Sequence, residues 1–212
     1  KKKQGEAADK AMTFGDKAGQ AFNQVHEAIV AAGIAVALKE IYEYFASCAQ
    51  ASMDFESAIT GVAKTTDLTD EELAAMSDSI KALSTEIPAT TEEIAAVAEA
   101  AGQLGIQKDA LLDFTEIMTM LGTATNMTAD EAATSLARFA NITGMATDNY
   151  GRLGSVIVDL GNNFATTESE IVAMGTRLAS AGKLAGLTEP EIMALAAAMS
   201  SVGIEAEAGG TP

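Results

Sequence analysis

The 212-residue sequence contains no tryptophan, one cysteine, one histidine and three prolines. Only 5% of its residues are aromatic although 48% are hydrophobic, and Ala, Met, Leu and Ile supply the apolar volume. These residue types favour helices, whereas strands favour aromatic and β-branched clusters. The single cysteine, Cys48, excludes an internal disulfide, and we expect it to pack in the core. Since no segment alternates as a strand would, the sequence predicts an all-α fold.

Basic residues are also scarce, with 13 Lys and Arg against 30 Asp and Glu and a net charge of −17. The first 39 residues contain six lysines against four acidic residues, so the negative charge lies almost entirely after them. Many acids fall in segments such as "TDEE", "TTEE" and "TADE", where they would occupy first turns and interact with the helix dipole. Binding to a nucleic-acid backbone needs clustered Lys and Arg. We therefore expect no specific nucleic-acid binding.

Residues that could carry catalysis or bind a metal are nearly absent. His26 is the only histidine, so neither a His-based metal cluster nor a catalytic triad can form. Helix capping explains the paired acids, and the scattered glycines do not form a phosphate-binding loop. The sequence predicts no catalytic, cofactor-binding or metal site, and we expect a protein that is not an enzyme and needs no cofactor.

Apolar spacing predicts one long helix over residues 6–59, or two helices joined end to end. We call the main row of mostly apolar residues along this helix its seam. The seam residues are spaced alternately by three and four positions, as in a coiled coil: Leu38, Ile41, Phe45, Cys48, Ser52, Phe55 and Ile59. A second seam, from Phe22 to Val36, has another phase, and we expect a kink or phase change near Gly33. An amphipathic helix packed on its own domain and an intermolecular coiled coil both explain these seams. The longest apolar run, residues 28–38, is shorter than the roughly 20 residues that span a bilayer.

Residues 69–203 predict seven shorter helices. Five begin with a threonine followed three residues later by a glutamate, the pattern of a capping box: Thr69/Glu72, Thr90/Glu93, Thr128/Glu131, Thr167/Glu170 and Thr188/Glu191. Two less regular starts lie near Lys108 and Thr147. Glycines are expected to end most of the helices: Gly105, Gly122, Gly144, Gly161, Gly182 and Gly203. We thus predict a long helix over residues 1–60 that forms a coiled-coil-like linker into the core, and a core domain over 61–212 that is a bundle or array of about seven short capped helices.

An internal similarity relates residues 69–106 to residues 167–204 at an offset of 98. Both threonine caps coincide, and twelve of the 38 aligned positions are identical. Ala-rich helices raise such counts, so either a duplication or convergence on one helix-pair pattern explains the match. In both cases we expect the two helix pairs to look alike.

Two stretches resemble the core domain of phage tail tape measure proteins of the TP901 type. In the first, Phe55 and Glu56 precede "VAKTTD", an acid-capped helix and an Ala-rich helix that closes on "LGI". The second, residues 178–211, closes on "GIEAEAGGT". The resemblance covers about residues 28–211. In the family the closing segment normally leads into another helix, so we expect this chain to be a fragment truncated at its C-terminal end.

The resemblance implies a structural protein of a phage or prophage tail. Tape measure proteins set the length of the tail tube during assembly in the bacterial cytoplasm, occupy the tube lumen of the virion in a few copies, and leave ahead of the DNA on infection. The implied partners are tail tube proteins, tail-tip or baseplate proteins, tail assembly chaperones and further copies of the chain. For some members the resemblance also implies contact with the host membrane, and peptidase activities belong to separate domains.

The residues alone leave two other functions open. Helix pairs of about 40 residues are typical of a helical-repeat interaction scaffold. A membrane-active helical domain that inserts residues 22–45 is the second alternative.

Overall fold

The computed structural model describes residue 23 and residues 35–204. Within them the protein consists of helices and connecting turns, with no strand, which confirms the predicted all-α fold. The eight α-helices of this part are α1 (Ala35–Thr65), α2 (Asp70–Glu86), α3 (Thr91–Gln103), α4 (Lys108–Ala124), α5 (Ala129–Thr143), α6 (Tyr150–Asn163), α7 (Glu168–Leu184) and α8 (Glu189–Ser201). A 3₁₀ turn, Thr147–Asn149, precedes α6.

The long helix α1 extends further than the sequence predicts. The predicted end at residue 59 is wrong, because the helix continues to Thr65. Val62, three residues after Ile59, continues the seam and is fully buried, so packing carries the helix through Gly61. In the last turn the Thr66 hydroxyl donates to the Val62 carbonyl at 2.7 Å. The predicted helix before residue 35, with the phase change near Gly33, lies outside the described residues.

The predicted threonines are the N-caps of α2, α3, α5, α7 and α8. At the first four, the threonine hydroxyl accepts from the amide of the glutamate three residues later, at 3.2–3.4 Å. The glutamate in turn accepts from the threonine amide, at 2.8–3.0 Å. At α8 the Thr188 hydroxyl instead donates to Glu191 Oε2 at 2.8 Å, as does the Thr188 amide. Local sequence therefore determines where these helices begin.

Three of the six predicted glycine stops are confirmed. Gly105, Gly144 and Gly203 follow their helices with φ of 78°, 67° and 81°, and Gly186 does the same after α7 with 82°. This left-handed backbone suits glycine, which has no Cβ to clash with the next carbonyl.

The other three predicted stops, Gly122, Gly161 and Gly182, are wrong because they lie inside α4, α6 and α7. A Cβ added at Gly122 would lie 2.6 Å from the Ala129 nitrogen, at the start of the next helix. One at Gly182 would lie 2.6 Å from Ile192 Cγ1, and one at Gly161 would meet the side chain of Glu168. These glycines let the following helix pack against the last turn of the preceding one, which sequence alone does not distinguish from a stop.

Contacts divide the chain into two units between Glu56 and Ser57. In the first, the described part is the exposed stretch of α1. The second contains the end of α1 and α2 to α8. Every substantial contact between its described helices joins helices that are consecutive or next but one in the sequence. Its largest fully buried side chains include Phe114, Phe139, Ile80, Ile94, Leu136 and Met193.

The internal similarity is visible in the helix bounds, since an offset of 98 carries α2 onto α7 and α3 onto α8. The closing turns also match. Ile106 donates to the Ala101 carbonyl at 3.1 Å, and Ile204 donates to the Met199 carbonyl at 3.2 Å. The two pairs differ in packing, because α7 contacts α8 more extensively than α2 contacts α3.

Two glycines of α7 explain this closer packing. A Cβ at Gly175 would lie 2.5 Å from Met193 Sδ, and a Cβ at Gly182 would lie 2.6 Å from Ile192 Cγ1. At the corresponding positions α2 has Ser77 and Ser84, whose side chains keep a partner helix further away. Similar crossing angles in the two pairs stay a prediction.

Candidate interaction surface

Buried polar groups in the described residues serve the fold. No group of three or more His, Cys, Asp or Glu in this part is placed to hold a metal ion, and no buried side-chain N or O there lacks a hydrogen-bond partner. The buried hydroxyls of Thr115, Thr119 and Thr143 each donate to a carbonyl one turn back, at 2.7, 2.8 and 3.0 Å. His26 lies outside the described residues.

The acidic pairs that could imitate catalytic carboxylates are capping residues. Hydrogen bonds from the Thr128 amide and hydroxyl lower the pKa of Glu131, and those from Thr188 lower the pKa of Glu191. The pKa of Glu170 falls for the same reason, through the Thr167 amide first and then the hydroxyls of Thr166 and Thr167. A general acid needs a raised carboxyl pKa. These glutamates are therefore held as helix-capping anions.

An ion pair that the sequence analysis missed joins the first turns of α2 and α4. Lys108 Nζ lies 2.7 Å from Glu72 Oε1, with both side chains partly exposed. The Lys108 hydrogen bond is the main cause that lowers the pKa of Glu72, followed by the Thr69 amide, and Glu72 raises the pKa of Lys108. A lysine is unfavourable at a helix N-terminus. That unusual position was the available signal that Lys108 has an acidic partner elsewhere.

A second missed contact joins the α4–α5 loop to α7. Asn126 Nδ2 donates to Ser169 Oγ at 2.8 Å, and the Ser169 amide donates to Asn126 Oδ1 at 3.1 Å. Side chains 43 residues apart give no periodic signal in the sequence, so only the fold reveals this pair.

An open groove of about 410 Å³ lies between α3, α4 and the start of α5. Pro88, Val97, Thr119 and Gly122 line it together with the capping residue Glu93. The side chains that line it are mainly apolar and small, so the groove has few polar groups with which to select a ligand.

Among the described residues of the first unit, an exposed apolar surface lies along α1. Ile41 is 44% exposed and Phe45 54% exposed, and Cys48 and Ser52 are exposed as well. We call these four residues the α1 face. The same seam becomes half-buried at Phe55 and fully buried at Val62.

The expectation that Cys48 packs in the core is wrong, because Cys48 is exposed. Its neighbours one turn away on the seam, Phe45 and Ser52, are exposed too. The seam therefore faces solvent here and reaches the core only toward the end of the helix. Among the described residues, none of the helices has an apolar stretch long enough to cross a bilayer.

In the described part of the chain the fold is all-helical, polar groups cap the helices, and the 31-residue helix α1 has an exposed apolar strip. These features are typical of a structural or interaction protein. The family model of the phage-related minor tail protein matches residues 77–212. This match covers more than half of the chain, and the chain belongs to that family; it is a phage tail protein. No curated protein and no solved structure matches it. The predicted resemblance to phage tail proteins is thus confirmed, and the TP901-type tape measure assignment stays a prediction.

Proposed function

We propose that this chain is part of a tape measure protein that sets the length of the tail tube during assembly. The observation that carries the proposal is α1, a continuous helix of 31 residues. At about 1.5 Å per residue such a helix is about 46 Å long, so its residue number translates directly into distance. Membership of the minor tail protein family supports a place in the tail.

In this proposal the protein lies in the tube lumen of the virion and is released ahead of the DNA on infection. Its partners are tail tube proteins, tail-tip or baseplate proteins, assembly chaperones and further copies of the chain. The acidic composition supports a place in the lumen, because a chain with 30 acidic and 13 basic residues does not attract passing DNA. The capping role of the described acidic pairs supports a structural rather than a catalytic function.

We also propose that residues 1–60 and 61–212 form separate domains with different roles. The first acts as a coiled-coil-like linker that contributes length. The second acts as a packed core domain. Its short helices, 13 to 17 residues each, support this division, because they bury their apolar faces against one another.

Deletion of residues 39–52, two heptads of α1, tests the ruler function in the phage. We expect viable particles with tails about 21 Å shorter, at about 1.5 Å per deleted residue. Electron microscopy of purified tails, averaged over many particles, measures the change. A duplication of the same 14 residues is the matched control and should lengthen the tail by the same amount. Unchanged tail length in both variants would contradict the proposal.

A helical-repeat interaction scaffold is the second candidate, favoured by the coincidence of helix bounds at an offset of 98. A scaffold would tolerate the α1 deletion without a change in tail length but would lose a binding partner. The membrane-active alternative concerns residues 22–45, most of which lie outside the described residues, and liposome binding by the chain would support it.

A further inference from the structure

The last described helix, α8, has an apolar face that is open to solvent. Leu195, Ala198 and Val202 follow one another by three and four residues, the spacing of one helix face, and Ile204 lies in the closing turn. We call these four residues the α8 face. Leu195 is 43% exposed and Val202 74% exposed, and residues 192–204 contain no charged side chain. Apolar side chains that are exposed together, rather than singly, indicate a surface that another element covers.

The helix at the other end of the same series of short helices is built differently. α2 presents Asp78 and Lys81 to solvent, where their charged groups lie 3.4 Å apart. In a stacked helical array the terminal helices need a polar outer face. α2 meets this requirement and α8 does not. The outer face of α8 is therefore that of an inner helix, which has a further neighbour.

The internal similarity shows what kind of element covers such a face. At the offset of 98, the four positions of the α8 face correspond to four positions at the end of α3: Val97, Ala100, Leu104 and Ile106. Val97 is only 4% exposed, and the other three are partly buried. The reason is that α3 contacts the two helices that follow it, α4 and α5, and Val97 lines a groove together with Thr119 and Gly122 of α4. Among the described helices, α8 has substantial contacts only with α6 and α7, which precede it.

We propose that the α8 face binds the next helix of the same protein, in the place that α4 takes on α3. The source of this helix rests on the proposed function, in which the chain is part of a longer tape measure protein. The closing turns support it, because Gly105 and Gly203 have φ of 78° and 81°, and Ile106 and Ile204 each donate to a carbonyl five residues back. The chain therefore leaves α8 in the direction in which it leaves α3 toward α4. Residues 205–212, "EAEAGGTP", contain no large apolar side chain, so the covering helix follows them.

Two corresponding glutamates add a requirement on the charge of this helix. Glu72 Oε1 accepts from Lys108, at the start of α4, at 2.7 Å. Its counterpart Glu170 makes its capping contacts through Oε2, and no described residue donates to its Oε1. Thr166 Oγ1 and Ser200 Oγ lie 2.6 Å apart, so the start of α7 lies beside the end of α8, where the next helix would begin. We therefore expect a Lys or Arg in the first turn of that helix, within reach of Glu170.

Thiol labelling tests whether the protein's own chain covers the α8 face. Leu195→Cys, in a Cys48→Ser background, is made in the 212-residue chain and in the full-length tail protein, and mass spectrometry of the modified peptide follows its reaction with a maleimide. We expect the thiol to react about tenfold more slowly, or less, in the full-length protein, because the covering helix must first open. Leu184→Cys is the control, since Leu184 is 90% exposed at the end of α7 and should react equally fast in both proteins. Equal rates at position 195 would overturn the proposal, and so would protection that grows with protein concentration, because a second copy would then be the cover.

A pair of charged substitutions tests the same contact through stability. Leu195→Glu should speed proteolysis of residues 69–204 in the full-length protein and leave it unchanged in the 212-residue chain, where the side chain is exposed. Val97→Glu should speed it in both, because Val97 is buried at the corresponding position of α3. A Leu195→Glu variant that behaves like wild type in both proteins would contradict the docking.

The docking and the proposed function fail separately. Tail length in the α1 deletion phage does not depend on Leu195, so an unprotected thiol at that position beside proportionately shortened tails would overturn the docking and leave the tape measure function standing. A protected thiol beside unchanged tails would do the reverse. The sequence of the full-length protein tests the charge requirement directly, and a next helix without Lys or Arg in its first turn would overturn the ion pair with Glu170.

Discussion

Glycine serves two purposes in this chain, and the consequence of substituting it depends on which purpose it serves. After α3, α5, α7 and α8 it adopts positive φ and ends the helix. Inside α4 and α7 it removes a Cβ where another helix comes close. Both uses place a glycine near a helix end. Which use applies therefore depends on the residues that pack against the glycine, and the local sequence does not show them.

Gly122→Ala should destabilise the protein. Its new Cβ would lie 2.6 Å from the backbone nitrogen of Ala129 and 2.9 Å from its Cα, so backbone must move. Overpacking of this kind costs about 1–3 kcal/mol. Urea denaturation followed by circular dichroism measures the loss.

Gly151→Ala is the matched control, because its Cβ would make an ordinary contact with Ile117 Cδ1 at 3.5 Å. Alanine should stabilise α6 there by about 0.5–1 kcal/mol. If both substitutions change the urea midpoint by similar amounts, the close approach of α4 and α5 does not explain the need for glycine at position 122.

The capping glutamates make stability depend on pH in acid. Hydrogen bonds from the Thr128 amide and hydroxyl hold the pKa of Glu131 below its usual 4.5. The folded state therefore binds this proton less readily than the unfolded state. The resulting stabilisation is complete above about pH 4.5 and is lost as the pH falls through the lowered pKa of the folded state.

Glu131→Gln should remove part of this dependence. The difference in urea midpoint between wild type and variant should be largest at neutral pH and should shrink as the pH falls below 4.5, because the wild-type carboxyl becomes neutral as well. Measurements of both proteins across this range give the result. A difference that is constant with pH would contradict the role of the charge.

Individual helices depend on their first turns to different degrees. Thr90→Ala should cost about 1 kcal/mol, because its hydroxyl accepts from the amide of Glu93 and no other group replaces it in the variant. Thr188→Ala should cost less, because the Thr188 hydroxyl donates to Glu191 Oε2 at 2.8 Å and its contact with the Glu191 amide is weaker than the corresponding one at Thr90. Thermal unfolding of the two variants compares them directly. Equal losses would mean that the two caps are equivalent in solution.

The capped helix starts could be predicted from the sequence, whereas the end of α1, three of the six glycine stops and the exposure of Cys48 could not. The capping box is a pattern of four residues that acts on its own backbone, so Thr69, Thr90 and Thr128 identify their helices. The end of α1 at Thr65 depends on burial of Val62, and the exposure of Cys48 depends on where the seam leaves the core. These are tertiary properties that periodicity alone does not contain.

At the scale of the whole molecule, the second unit should respond to deletion as one body. Removal of α4 would expose the faces of α3, α5 and α6 that contact it. Buried α4 residues such as Phe114 and Met118 are fully enclosed, and losing even one large core side chain costs about 2–5 kcal/mol. In the phage we expect failed assembly or non-infectious particles. Viable tails shortened in proportion to this deletion would show that the second unit also acts as a ruler.

The sequence predicted only part of what the structure shows about the candidate interaction surface on α1. The seam on α1 could be identified from spacing, but spacing left open whether its own domain or another chain covers it. In the described part of the first unit, Ile41 is 44% exposed and Phe45 is 54% exposed, so this face is not part of a packed core there. The partners of Lys108 and Asn126 lie 36 and 43 residues away in the chain, and only the fold identifies them.

Packing between helices that are near neighbours in the sequence has a mechanical consequence. A pull on one end of the second unit would detach its helices in order, because each described helix is held mainly by helices no more than two places away in the chain. A helix lengthens from about 1.5 Å to about 3.5 Å per residue when it is stretched. The unit would therefore yield to force in small successive steps rather than in one large rupture. A chain that unravels in this way can be threaded through an opening narrower than its folded width.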